Sequence, residues 1–359
     1  MPAGMLRRGR RHAALSRSAD GFATSATQRR RGSLRCPVMA RTRLYRNGIL
    51  EAEDFPVADV SDHLLDPDAT VWLDFCAPGE AELAAISEEL GLHALAVEDA
   101  VHEGQRAKVD CYDSHSFLTA YAVSMDGEVL RCHEVAAFVT RQALVTVRKD
   151  EAFDIQAVLA RWDAAAEGAK SGVGFLLHGL LDYVVDGHFD TAQALDDQIE
   201  QLEDLVFEDR PDHTWLQRRS LQVRKNLVHL RRVVVPMREV VGNLMRHDMR
   251  LVDEAMQPYF QDVHDHVLRA SEWTESLRDL ITTIRETQLN LQGYRLNTIM
   301  KKVTSWAAII AVPTAVTGFY GQNVPYPGFQ QVWGFWASLV SIVVLSVGLY
   351  ALFRKRDWL

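Results

Sequence analysis

The sequence has 359 residues, enough for two domains of ordinary size, and 48% of them are hydrophobic. Nine Arg and one Asp give residues 1–40 a formal charge of +8, so the net charge of −9 leaves −17 for the rest of the chain. A basic charge confined to one tail argues against a nucleic-acid-binding domain, which carries it on a folded surface. Cys36, Cys76, Cys111 and Cys132 include no CxxC pair, which argues against a structural zinc site.

Residues 1–40 are rich in Gly, Ser and Thr, lack apolar periodicity and are expected to be disordered. Their Arg-rich, acid-poor composition also fits a targeting peptide, and Met39 offers an alternative translation start. Runs of β-branched and apolar residues predict strands over 70–75, 117–124, 129–138 and 143–148. A helix is expected over 79–90 and a tighter segment over 93–99. From about residue 151 onward the patterns are almost all helical. A helix is expected over 172–207, an acidic run of Asp196, Asp197, Glu200, Glu203, Asp204, Glu208 and Asp209 extends along and past its end, and Arg210-Pro211-Asp212 marks a turn. The helix over 215–243 is basic, with Arg218, Arg219, Arg224, Lys225, Arg231 and Arg232. Two readings fit this opposition: a hairpin with solvated ion pairs of little individual weight, or an acidic lining that attracts cations. Residues 258–320 hold no internal helix breaker except Pro313, so one helix roughly 95 Å long is expected. Such a helix needs neighbours, from this chain or from identical subunits.

Residues 332–353 contain no charge and no proline, a length that crosses a bilayer core of about 30 Å. Trp333, Phe335 and Trp336 lie at one end, where interfacial aromatics belong. Residues 303–320 are also uncharged, though broken by hydroxyl side chains and Pro313. Lys301 and Lys302 precede the first span, Arg354, Lys355 and Arg356 follow the second, and the loop 321–331 has neither Lys nor Arg. The positive-inside rule then puts both termini in the cytosol and the loop outside the cell membrane. Along the first span, steps of three and four join Asn297, Met300, Thr304, Ala307, Ala311, Thr314 and Gly318 into a small or polar seam. The seam fits tight helix packing or a water-filled path; periodicity does not separate the two.

Tyr320-Gly321-Gln322-Asn323 after the first span, a second span close behind and the basic end Arg354-Lys355-Arg356-Asp357-Trp358-Leu359 resemble the CorA family of divalent-cation transporters. Upstream, Tyr259-Phe260-Gln261-Asp262-Val263-His264-Asp265-His266, Val97-Glu98-Asp99 with Gln105-Arg106-Ala107-Lys108, Asn226-Leu227-Val228-His229-Leu230-Arg231 and Pro236-Met237-Arg238-Glu239 are similar to family segments in the same order. The resemblance covers residues 42–359. It implies an α+β chain forming a funnel-shaped homopentamer: a disordered tail (1–40), a cytosolic α/β domain with a helical hairpin (41–250), a stalk helix (251–302), a pore-lining first transmembrane helix (303–320), an extracellular loop (321–331), a second transmembrane helix (332–353) and a basic cytosolic end (354–359). The family's Gly-Met-Asn signature at the pore mouth reads Gly321-Gln322-Asn323 here. Variants at its middle position occur in the zinc-transporting branch, so Gln322 bears on ion preference. The loop also lacks the acids that family loops often carry.

By this resemblance Gly321, Gln322 and Asn323 form a selectivity filter. Mg²⁺ sheds its waters reluctantly, and amide and backbone oxygens can hydrogen-bond a hydrated ion without trapping it as carboxylates would. Thr314 and Asn297 would face the ion, and Met300 and Val303, with Ala307 and Ala311, would form a constriction that closes by dewetting. Asp99 and Asp262 match residues that bind a regulatory cation between subunits, with Glu98 and Asp182 assisting. Mg²⁺ is thus implied as substrate and regulatory ligand, with Co²⁺ and Ni²⁺ as further substrates and no resident cofactor. Identical subunits, the bilayer and divalent cations are the implied partners, with no nucleic acid. His264 and His266, two apart, do not share a helix face, which argues against a transition-metal pair. A zinc transporter, with or without proton coupling, and a non-transporting membrane metal sensor or scaffold are the alternatives. No Walker loop, nucleophile elbow or catalytic Cys–His arrangement is present, so an enzyme is not expected.

Overall fold

The computed structural model describes residues 40–206, 213–246 and 252–359. The expected disordered tail, except Ala40, the end of the acidic run (Glu208 and Asp209, with Phe207 before them) and the turn at Arg210-Pro211-Asp212 lie outside them. The chain begins with a hairpin of β1 (Arg41–Arg46) and β2 (Ile49–Glu53). Its turn is Asn47-Gly48, with φ of 55° and 79°, the positive pair that a two-residue hairpin needs. A 3₁₀ turn and the short helix α1 (Val60–His63) lead into β3 (Ala69–Cys76). Helix α2 (Glu80–Leu90) starts where the Glu82 carboxylate accepts the Gly79 amide at 2.6 Å. Helix α3 (Ala94–Val101) is capped by His93, whose Nδ1 accepts the Leu95 amide. Strands β4 (Lys108–Cys111), β5 (Ser116–Asp126), β6 (Val129–Val139) and β7 (Ala143–Arg148) follow. After helix α4 (Ile155–Ala164) the chain is built of long helices: α5 (Val173–Val206), α6 (His213–Leu244), α7 (Gln257–Tyr320) and α8 (Val332–Lys355).

Among the described residues the strands form one seven-stranded sheet, ordered β2-β1-β3-β7-β6-β5-β4. Only β3 and β7 run parallel. Both faces are covered. Val71, Leu73, Phe75, Phe138 and Val145 meet Leu83, Ile86, Ala96 and Ala100 of α2 and α3. Trp72, Leu118, Ala120, Val135 and Leu144 meet Val158, Leu180, Leu181 and Val184 of α4 and α5. Burial on both faces explains why these strands read as nearly continuous apolar runs.

Helices α5, α6 and α7 also pack on one another through Leu195, Ile199, Leu202, Val223, Leu227, Leu230, Leu277, Ile281 and Ile284. The opposed charges of α5 and α6 do not hold this coil together. Among the described residues no ion pair joins the two helices; Arg219 pairs with Glu128 at 2.6 Å and Arg231 with Glu275 at 2.9 Å. The coil is therefore apolar in its core, with charge on its rims.

The buried face of α7 runs from Phe260 through Val263, Val267, Ala270, Thr274, Leu277, Ile281 and Ile284 to Gln288. Beyond Gln288 the cover thins to Leu291, which is half-buried against the same core, and then gives out. Tyr294, Leu296, Ile299, Met300 and Val303 are exposed, and α8 is the next element to touch the helix.

His188 on α5 is fully buried against β5, where its Nε2 donates to the Tyr121 carbonyl at 2.8 Å. Burial pushes its pKa down to about 4. Below pH ~6.5 an unfolded chain takes up a proton that the folded chain refuses until about pH 4. Stability is then lost as pH falls across that window, by about 3 kcal/mol from this group, and is unaffected by it above the window. In detergent-solubilised protein, His188→Gln keeps an N–H for Tyr121 and is expected to flatten the fall in Tm between pH 7 and pH 4.5. An equal fall in both proteins would rule His188 out as its source.

Candidate functional site

Helix α7 crosses Pro313 without interruption. The Thr314 hydroxyl donates to the Ile310 carbonyl at 3.2 Å and that of Thr317 to the Pro313 carbonyl at 2.8 Å, so neither is an unsatisfied polar group facing lipid. Helices α7 and α8 are each long and apolar enough to cross a membrane, and they pack side by side. Along this part of α7 the covered or partly covered positions are Ser305, Ala308, Ile309, Val312, Pro313, Val316 and Tyr320. Asn297, Met300, Val303, Thr304, Ala307, Ala311, Thr314 and Gly318 are all exposed. The small-and-polar seam therefore does not serve packing against α8. Within one chain it is left free.

The seam leads to the loop. The Gly321 amide donates to the Thr317 carbonyl at 2.8 Å, and a Cβ on Gly321 would stand 3.0 Å from that oxygen, so a side chain here crowds the helix end. Gln322 and Asn323 follow immediately, both exposed and with no side-chain hydrogen bond among the described residues. Aromatic packing holds the turn that carries them. The Tyr326 hydroxyl donates to the Tyr320 carbonyl at 2.8 Å, and the Tyr326 ring packs on Tyr320 and Phe329. The loop closes where Gly328, at φ 91°, lies tightly against Gly334 and the Trp333 ring, and a Cβ on Gly334 would collide with the Gly328 carbonyl. Gly-X-Asn thus projects from a braced end of α7 rather than from a slack loop.

The four carboxylates named from the sequence lie on three helices. Asp99 on α3 is held at 2.8 Å by Lys108 of β4, which also holds Asp110 at 2.6 Å. Burial works against the Lys108 charge, but its hydrogen bonds to Asp110 and Asp99 outweigh that and raise its pKa. Glu98 is exposed, and its backbone carbonyl receives the His102 amide. Asp182 on α5 bonds Arg161 at 2.7 Å, and Asp186 one turn on bonds the same guanidinium at 2.7 Å. Asp262 on α7 is exposed, with His266 Nε2 3.8 Å away.

His178 of α5 packs on Tyr259 and Phe260 of α7, and the charges of both Asp182 and Asp262 act on it. Burial keeps the His178 pKa below its ordinary value although both acids pull it up. Asp99 and Glu98 do not join them: among the described residues no three His, Cys, Asp or Glu side chains converge on a point that could hold a metal. His264 and His266 diverge, His264 lying near Gly242 of α6 and His266 packing on Phe189 of α5. Arg161 as a clamp on two acids has no local signature, since its partners lie a whole helix further along the chain. Lys108 lies within the Gln105-Arg106-Ala107-Lys108 segment, yet nothing local marks it as the partner of Asp99.

The model of the family described as "CorA-like Mg2+ transporter protein" matches residues 67–355. YfjQ of Bacillus subtilis is 31% identical over 293 residues, covering 81% of this chain and 90% of the relative. The "Cobalt/magnesium transport protein CorA" of Thermotoga maritima is 28% identical over 319 residues, covering 87% of this chain and 90% of the relative. Among solved structures, the CorA magnesium transporter of Methanocaldococcus jannaschii matches with a TM-score of 0.73 at 22% identity, covering 90% of this chain and 99% of that one. The soluble α/β body, the long helix and the two apolar C-terminal helices are thus a shared fold, and the chain belongs to the CorA-like Mg²⁺ transporter family.

Proposed function

We propose that this chain is a channel-type transporter for divalent cations, chiefly Mg²⁺ with Co²⁺ and Ni²⁺ as further substrates, that passes hydrated ions through a pore shared by five identical subunits. One observation carries the reading: the seam of α7 that α8 leaves uncovered ends at the free amides of Gln322 and Asn323. The relative from Thermotoga maritima, named as a cobalt/magnesium transport protein, supports the ion class. The bare stretch of α7 beyond Leu291 supports oligomerisation, because a row of exposed Tyr, Leu, Ile, Met and Val calls for a partner surface.

In this reading both termini are cytosolic, with Lys301, Lys302, Arg354, Lys355 and Arg356 at the inner surface of the cell membrane. Around the axis, Gly321, Gln322 and Asn323 present amide and backbone oxygens to the waters of the incoming ion. Asn297 and Thr314 continue that polar lining. Met300 and Val303, with Ala307 and Ala311, close the path by expelling water. The membrane potential supplies about 2.3 kcal/mol per elementary charge per 100 mV, about twice that for a divalent ion.

Cytosolic metal closes the pore by bridging carboxylates of adjacent copies: Asp99, with Glu98, on one subunit and Asp262, with Asp182, on the next. Empty, these acids repel; a divalent ion joins them. Lys108 holds Asp99 in the meantime, so metal binding must outcompete an internal ammonium.

The acid-free loop and Gln322 in place of Met favour a second reading, transport of Zn²⁺, coupled to protons. Liposomes carrying the purified protein test both. The first reading expects Mg²⁺ uptake that is unaffected by a pH gradient and inhibited by lumenal Mg²⁺ on the cytosolic face. Zn²⁺ uptake that follows an imposed proton gradient, without Mg²⁺ uptake, would select the second. No metal flux at all would leave a sensor or scaffold. Asp262→Ala is expected to raise the Mg²⁺ concentration needed for inhibition roughly tenfold, the weight of one charge-assisted contact. Unaltered inhibition would remove Asp262 from the regulatory site.

A further inference from the structure

A cavity of about 340 Å³ opens between α6 and α7, away from every residue assigned above. One stripe of α6 (Gln217, Ser220, Leu221 and Arg224) faces one stripe of α7 (Ile281, Thr282, Arg285, Gln288 and Leu289). Ile281, Ser220 and Gln288 form the floor, and the arginines stand exposed at the rim.

Two independent observations describe what the cavity takes. Gln288 is only 5% exposed, and its Nε2 is buried with no hydrogen-bond partner. A buried donor without an acceptor is uncommon in a folded protein and calls for one. Arg224 and Arg285 have no acidic partner among the described residues, and no Asp or Glu lines the cavity. The wall therefore offers donors and positive charge in a body that is otherwise strongly acidic. Two guanidiniums and an amide N–H are the groups that grip an oxyanion. Beside them, Leu221 and Leu289, 52% and 55% exposed, offer an apolar shelf that a bare inorganic ion would leave uncovered.

We propose that this cavity binds a small organic phosphate: the phosphoryl group between Arg224, Arg285 and the Gln288 amide, and a flat or apolar moiety over Leu221 and Leu289. An anionic lipid headgroup offers the same phosphoryl chemistry. Arg285, however, precedes Lys301 by four to five turns of α7, about 24 Å along the axis, so the source is a soluble molecule. The occupant ties α6 to α7 at Gln288, where the cover on the long helix thins.

Calorimetric titration of the full chain in detergent, stripped of metal with EDTA, tests this with adenosine monophosphate as the probe. The expected result is saturable binding, one per chain, weakened by salt and competed by inorganic phosphate. Arg224→Gln and Arg285→Gln, both at exposed positions, are each expected to weaken it roughly tenfold or more. Gln288→Leu should weaken binding while leaving Tm unchanged or higher, since it removes an unsatisfied donor. No saturable binding of the probe, or equal affinity in the Arg224→Gln/Arg285→Gln double variant, overturns the proposal. Competition by phosphatidylglycerol in nanodiscs, but not by phosphatidylcholine, overturns the soluble source.

Discussion

Liposomes carrying Asn323→Ala are expected to take up Mg²⁺ roughly tenfold or more slowly than those carrying the native chain, with the protein still folded and inserted. A hydrogen bond from the hydration shell of the ion to one amide contributes about 1 kcal/mol, and about 1.4 kcal/mol is a factor of ten. In the proposed assembly the mouth is shared by five subunits and loses one such contact per subunit. The side chain of Asn323 is exposed and bonds to nothing else among the described residues, so its removal costs the fold little. Stability and flux should therefore separate: unchanged Tm, collapsed uptake. Unchanged uptake would mean that the Gly321-Gln322-Asn323 turn is structural and that selection occurs elsewhere.

The largest expected effect on stability lies in the sheet. Asp74 of β3 is 1% exposed and accepts hydrogen bonds from Arg148 of β7, from Nε at 3.0 Å and from a terminal nitrogen at 2.6 Å, and from the Thr146 hydroxyl at 2.8 Å. Arg148 also donates to the Phe153 carbonyl at 3.3 Å, tying the parallel pair of strands to the approach to α4. Arg148→Met leaves Asp74 as an uncompensated buried charge, a loss of about 3–5 kcal/mol. The double variant Asp74→Leu/Arg148→Met removes both charges and is expected to recover most of it, because paired apolar replacements of buried ion pairs are often neutral. Thermal melts of the solubilised protein decide: a double variant no more stable than Arg148→Met would show that packing, rather than the stranded charge, sets the cost.

The membrane hairpin was the most legible part of the chain. Residues 258–320 and 332–353 were expected as helices, and α7 and α8 span Gln257–Tyr320 and Val332–Lys355. Absence of charge over so long a stretch has few other causes. The central strands were legible too, because a sheet covered on both faces writes itself as apolar runs. The β1–β2 hairpin was not, although Asn47-Gly48 marks its turn. Its first strand carries Arg41, Arg43 and Arg46, and the charge on Arg43 is hidden only by pairing with Glu53 at 2.6 Å and Asp163 at 2.8 Å, partners that local pattern does not announce. Strand β4 escaped for a similar reason: it is short, lies at the sheet edge and carries Lys108 and Asp110.

Long-range pairing also limited what could be read of the site. Periodicity left the α7 seam divided between packing and a water path, and only the position of α8 on another face of the helix removed packing within the chain. Opposite charge on α5 and α6 suggested mutual ion pairs, yet Arg219 and Arg231 found their acids on the β5–β6 turn and on α7. Asp99 and Asp182 were recognisable as acids in the right segments. That each already holds a cation of its own, Lys108 or Arg161, depends on contacts between elements that no spacing reveals.

The central claim, that ions travel along the exposed seam of α7, is tested most directly by placing single cysteines along that helix. In a background with Cys36, Cys111 and Cys132 replaced by Ser, Thr314→Cys and Ala307→Cys face the proposed path, whereas Val316→Cys and Ala308→Cys lie at half-covered positions off the seam. A charged, membrane-impermeant thiol reagent is predicted to block divalent-cation uptake into liposomes at positions 314 and 307 and to leave it intact at 316 and 308. Equal block on both faces, or none at 314 and 307, would contradict it.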